Sequence, residues 1–274
     1  MNPYENLAFL VDTLNSVQKI RQSTGNRVTH LAKQERRDEV TKRYHNIFQS
    51  VEDDLVGTIA PLVKSHPTWK WAKKVKGVGT ENLAKVIGLI EKVERDGKYG
   101  VECFDTPSKL VRFCGFAVID GKAEKRTAGE KLHYNSELRS MLWRLGVSLN
   151  MAKGKFYNFY LGEKEYLQNR YEKEDKKVMP TPKGKLCPGC RKEVVVKTAK
   201  YCPDCGATLV KKNEPENVIF EGHLHNQALR RAIRMFVIML YTAWREELAL
   251  PVRMPYPVER LGHSQVLKPE EFCE

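Results

Sequence analysis

Long apolar runs are missing from this sequence of 274 residues. The longest, Met235 to Leu240, is far short of the roughly 20 residues that a membrane helix needs. No N-terminal stretch resembles a signal peptide. Internal repeats and low-complexity tracts are also lacking. Acidic residues are in deficit: 34 Asp and Glu face 47 Lys and Arg, a net charge of +13. That balance favours anionic partners, nucleic acid first. A basic composition alone is weak evidence, because many basic proteins bind nothing anionic.

Cysteine is scarce, at seven residues, yet four of them are patterned. Cys187 and Cys190 form one Cys-x-x-Cys knuckle (CPGC), and Cys202 and Cys205 form another (CPDC). Eleven residues separate the knuckles. A thiolate pair two residues apart grips one ion from a tight turn. Two pairs complete a tetrahedral four-thiolate shell with no open position, which suits one structural zinc ion rather than catalysis. The Glu-Val-Val-Val-Lys run between the knuckles fits a zinc ribbon. Reduced thiol pairs, two disulfides of a secreted protein and a redox motif are the competing readings; redox pairs rarely come doubled at this spacing. Cys103, Cys114 and Cys273 lack metal spacing, and the first two read as small core residues. Free thiols beside a four-cysteine site fit a cytoplasmic or nucleoid-associated protein.

The expected fold is mainly α, a helical bundle with a helix-hairpin-helix, N-terminal coiled-coil-like helices and a small β zinc ribbon. Leu7, Leu10, Val11, Leu14 and Val17 recur at helical spacing, and Thr24-Gly25-Asn26 then breaks the chain. A longer helix over about 28–63 carries the stripe Val40, Tyr44, Ile47, Val51 and Leu55, suited to a coiled-coil seam or to packing within the chain. Residues 1–66 are thus an N-terminal helical region with a possible role in homodimerisation. Residues 67–173 and 213–250 make a discontinuous DNA-binding domain of short helices and glycine turns. Thr106 and Pro107 open one helix and Gly115 ends it. Asn135 or Ser136 caps the next, with Leu138, Met141, Leu142 and Leu145 inward. The stripe Phe156, Phe159, Tyr160 and Tyr166 reads as core. A charged linker over 172–185 leads to the ribbon, within an insertion over 174–212. The last strong helix, about 224–248, buries Ala232, Ile233, Phe236, Val237, Leu240 and Ala243. A Pro-rich tail fills 251–274.

Val75-Lys76-Gly77-Val78-Gly79 precedes the helical pattern Leu83, Ala84, Ile87 and Ile90. Paired glycines leave no side chain to block a phosphate, and the amides of the turn and new helix start can point at one. Thr80 is the expected cap. Lys73, Lys74 and Lys76 supply positive charge. This pattern predicts sequence-independent contact with double-stranded DNA, since backbone contacts read no bases. A plain glycine turn between packed helices is the bland alternative. A second basic segment, with Lys122, Lys125, Arg126, Lys131 and His133, is a further expected contact or else a solvated loop.

The order of these motifs resembles the C-terminal half of the bridge-RNA-guided insertion-sequence transposases with a DEDD RuvC-like domain. The matching pieces are 75–79, then 104–116 (FDTPSKLVRFCGF), then 121–145, and the helix over 226–244. The resemblance implies a DNA-binding scaffold from a mobile element or virus. Two of the family's features are missing. No strand pattern is present to hold a RuvC-like fold and its acidic tetrad. The stretch 116–121 (FAVIDG) has no serine where the family has its nucleophile. Expected function is therefore non-enzymatic DNA binding. A reduced transposase, recombinase or nuclease is the second reading, with Glu52, Asp53 and Asp54 as clustered acids on an exposed helix. An RNA-binding ribonucleoprotein component is the third.

Overall fold

A computed structural model describes residues 4–119, 121–124, 129, 131–195, 199–211, 213–253 and 267–274. The fold is mainly helical, as expected, with nine very short strands among these residues. Two helices open the chain, α1 (Glu5–Ala32) and α2 (Glu39–Ser65). They run antiparallel, joined across by Arg21–Glu52 and Arg27–Asp38 ion pairs. The break expected at Thr24-Gly25-Asn26 does not occur. Thr24 returns its hydroxyl to the carbonyls of Ile20 and Arg21, at 3.2 and 2.9 Å, and so satisfies it without leaving the helix. Gly25 admits α2: a β-carbon there would lie 3.1 Å from the His45 ring. The turn instead falls at Lys33–Asp38, where Glu35 takes φ 56° and Asp38 caps α2 by accepting from the Thr41 amide at 2.9 Å. Glu52, read as exposed, is buried against Arg21, while Asp53 and Asp54 are exposed.

The short helix α3 (Trp69–Ala72) and the glycine turn lead into α4 (Thr80–Glu91). Residues 69–173 were expected to hold helices and turns only. They also carry two β-hairpins, β1 (Glu94–Arg95) with β2 (Lys98–Tyr99) and β3 (Val118–Ile119) with β4 (Lys122–Ala123). The first turns on Asp96-Gly97, both at positive φ, the pairing that a two-residue hairpin favours. Two further helices are α5 (Pro107–Phe113) and α6 (Ser136–Ala152). Thr106 caps α5, and Asn135 caps α6 by accepting from the Glu137 and Leu138 amides at 3.0 Å each. Asn135→Ala should cost about 1 kcal/mol, read as a lower urea midpoint with unchanged slope.

Two long helices follow, α7 (Lys155–Lys173) and α8 (Glu221–Glu247). By contacts the chain forms two compact units, 1–157 with 233–274, and 158–232. The N-terminal helices belong to the first, where α4 packs against both α1 and α2. Its core takes Leu83, Val86, Ile87 and Ile90 from α4 and the aromatic set Trp71, Phe156, Phe236 and Phe272. Phe272 stacks on Phe156 at 4.3 Å between ring centres, and the Trp71 indole donates to the Pro269 carbonyl at 2.8 Å. The described end of the Pro-rich tail, 267–274, is thereby part of the core; its residues 254–266 lie outside the described residues. Phe272→Ala should destabilise the protein by about 3 kcal/mol, measured by denaturant titration. The aromatic stripe of α7 is only partly core. Phe156 and Tyr160 are buried, but Tyr166 is exposed under the Arg231 guanidinium.

In the second unit β5 (Lys177–Met179) pairs parallel with β9 (Val218–Phe220). A three-stranded antiparallel sheet, β7 (Glu193–Val194), β6 (Lys185–Leu186) and β8 (Val210–Lys211), forms the cysteine module. The stretch 172–185, read as a linker, thus holds β5 and part of β6. β5 pairs with β9 some forty residues on, so local composition gave no sign of it.

Candidate metal centre and nucleic-acid interface

The four patterned cysteines converge. Their Sγ atoms all lie within 4.8 Å of one another. Cys187 and Cys205 lie 3.3 Å apart and Cys190 and Cys202 3.6 Å apart. A tetrahedral thiolate shell with metal–sulfur bonds of about 2.3 Å places its sulfurs roughly 3.8 Å apart, so the set fits one ion.

The two knuckles are built alike. Cys187 N–H donates to the Lys192 carbonyl at 3.0 Å, and Cys202 N–H to that of Ala207 at 2.8 Å. Arg191 N–H returns to the Cys187 carbonyl at 2.9 Å, and Gly206 N–H to that of Cys202 at 3.0 Å. Each turn ends on a left-handed residue, Arg191 at φ 58° and Gly206 at φ 73°. The Cys190 amide donates to Cys187 Sγ at 3.4 Å, and this bond, against burial, holds the Cys187 thiol down to about 6. The cluster titrates together: the same closeness raises the Cys190 thiol to about 12 and also raises Cys205, so metal binding must displace protons from these ligands. Buried Cys187, Cys202 and Leu209 form the module's small core, with Cys190, Val194, Ala199 and Ala207 against it. Arginine is the strained member of the left-handed pair. Arg191→Gly should therefore stabilise the module by about 0.5 kcal/mol, seen as a lower rate of protease cleavage within it.

The glycine turn places its residues as the sequence suggested, with one exchange. Val75 and Val78 are buried, and Lys73, Lys74, Lys76 and Gly79 are exposed. None of these three lysines forms an ion pair among the described residues, whereas neighbouring Lys70 pairs with Glu247. Thr80 is not the cap of α4 but its first residue, and Gly79 takes the cap position. No side chain caps that end. The two glycines serve different ends. Gly77 has φ 95°, and a β-carbon there would sit 2.9 Å from Ala152 Cβ and 3.0 Å from the Leu149 and Ser148 backbone. Ser148 also donates its hydroxyl to the Gly77 carbonyl at 2.8 Å. Gly77 is thus a packing residue against the C-terminal end of α6. At Gly79 a β-carbon would meet nothing within 4 Å, so the cap faces open space.

The second basic segment is described in part. Lys125 and Arg126 lie outside the described residues, and of Lys122 only the backbone, in β4, is described. Lys131 is exposed in the loop before α6. Arg139 donates to the Glu124 carbonyl at 3.0 Å and its guanidinium lies over the Tyr134 ring, which ties this loop to α6. Lys131 precedes the first turn of α6 while Gly77 packs on its last. The 17 residues of α6 make the helix itself roughly 25 Å long.

No protein-family model, curated protein or solved structure matches the chain. No helix among the described residues is long and apolar enough to cross a membrane.

Proposed function

We propose that this chain is a non-enzymatic protein that binds double-stranded DNA largely without regard to sequence. The observation that carries the reading is the turn over 73–79: three exposed lysines with no ion pair among the described residues, beside a helix start that opens on Gly79 with no side-chain cap. Backbone amides and lysines at one exposed turn match phosphate oxygens and touch no base edge. Lys122 and Lys131, with Lys125 and Arg126 of the same segment, supply the second contact. The resemblance of this motif order to that of the bridge-RNA-guided transposases is what suggests a mobile-element setting. In this reading the ion of the cysteine module is zinc, held by Cys187, Cys190, Cys202 and Cys205, and its part is to hold the module folded. Four thiolates leave no position open for chemistry.

Anisotropy titrations with short duplexes of unrelated sequence, across a salt series, test the DNA reading. Affinity should be alike for all sequences, and log K should fall against log salt with a slope of at least about 3. Lys73→Glu with Lys76→Glu should reduce that slope by about two. Absence of binding at low salt, or a slope that the variant leaves unchanged, overturns the reading.

A further inference from the structure

A second basic turn lies against the glycine hairpin. It joins α6 to α7: α6 ends on Lys153 at φ 55°, Gly154 follows, and α7 starts at Lys155. The two turns abut at two points. A β-carbon at Gly77 would lie 2.9 Å from Ala152 Cβ, and one at Gly154 would lie 2.8 Å from Lys76 Cβ. Gly154 is buried, while Lys153 and Lys155 on either side of it are exposed. Glu274 joins the same corner. Its N–H donates to the Lys74 carbonyl at 2.9 Å, and its carboxylate accepts from the Lys155 amide at 2.8 Å. One residue thus spans the gap between Lys74 and Lys155. Lys74, Lys76, Lys153 and Lys155 are all exposed, and none forms an ion pair among the described residues.

We propose that Lys153 and Lys155 contact phosphates of the same duplex as the hairpin, so that the interface is two abutting turns. The inference rests on the DNA reading above and extends it. Four ammonium groups on two turns in contact concentrate positive potential at one place. The Glu274 carboxylate offsets one of the four, and a backbone amide already engages it. DNA carries one charge per about 1.7 Å of its axis, so a duplex laid on the first turn brings further phosphates to the second. Lysine side chains at exposed turns meet those phosphates without reading bases.

Anisotropy titrations of the full chain across a salt series test it. Lys153→Gln with Lys155→Gln should lower affinity for a short duplex at least about tenfold at low salt. The same pair should reduce the slope of log K against log salt by about two. Lys19→Gln with Lys42→Gln removes the same charge from exposed sites on α1 and α2 and should leave the slope unchanged. Glu274→Gln keeps an acceptor for the Lys155 amide, removes the carboxylate charge, and should raise affinity about threefold. The lysine sites are exposed, so their denaturant midpoints should hold, which separates a lost contact from a lost fold. A slope that Lys153→Gln with Lys155→Gln leaves unchanged overturns the proposal. So does a control pair that lowers the slope equally, or an affinity that Glu274→Gln fails to raise. If Lys73→Glu with Lys76→Glu lowers the slope and the pair at 153 and 155 does not, this proposal alone fails. If the wild type binds no duplex, the DNA reading fails with it.

Discussion

Cys187→Ser, or treatment with a strong chelator, is expected to unfold the cysteine module and leave the first unit folded. The module has few other means of staying ordered. Its core is two cysteines and Leu209, and its three strands are two residues each. Structural zinc contributes roughly 10–16 kcal/mol in small zinc-dependent folds at neutral pH, far more than such a core supplies. All four tryptophans, Trp69, Trp71, Trp143 and Trp244, lie in the first unit. Their emission should stay unchanged while protease cleavage between about residues 185 and 211 becomes fast. A module that keeps its protection after metal removal would show that the thiols are not its support. The pH dependence has a definite sign. The Cys187 thiol is lowered in the folded chain to about 6, chiefly by the Cys190 amide. A lowered group stabilises at pH above its ordinary range, and that contribution is lost as pH falls through the lowered value. Protons also compete with the metal for all four thiolates, so metal should be retained at pH 8 and released on acidification, as followed by a chromogenic chelator.

The two hairpin glycines should separate stability from binding. Gly77→Val should destabilise the first unit by about 3 kcal/mol. Its left-handed backbone disfavours a β-branched residue, and its β-carbon would meet the Leu149 and Ser148 backbone at 3.0 Å, which cannot yield like a side chain. Any loss of DNA binding in that variant says little about phosphate contact. Gly79→Glu is the informative change. Its φ of −88° is ordinary and its surroundings are open. A carboxylate at a helix start favours the helix, so the denaturant midpoint should hold or rise slightly. The same carboxylate occupies the place of the phosphate, so affinity for duplex DNA should fall at least about tenfold at low salt. Unchanged affinity with unchanged stability would take the DNA contact away from this turn.

Helices with strong periodicity were legible to within a few residues. Leu83, Ala84, Ile87 and Ile90 on α4, and Ala232, Ile233, Phe236 and Val237 on α8, are all buried as their spacing implied. So were the caps at Thr106 and Asn135, because side chains that bond to nearby amides act locally. The turn of the N-terminal hairpin was misplaced. A glycine beside threonine and asparagine is a good local break, yet His45 made it a point of close approach instead. The small strands were missed because two or three residues carry no periodicity.

The four-cysteine cluster is the clearest case of sequence sufficing. Cysteine spacing marked a set that could hold one ion, since each knuckle is one turn and only the meeting of two turns remains to be made. Charge and the glycine pattern likewise marked the hairpin. Tertiary structure alone decided that Gly77 is held by α6 while Gly79 is open, because that depends on Ser148, Leu149 and Ala152, some seventy residues away. It also decided that the stripe of α2 faces outward. An amphipathic helix specifies that one face will be covered, but which neighbour covers it depends on what the rest of the chain brings near, and here α1 and α4 took other faces.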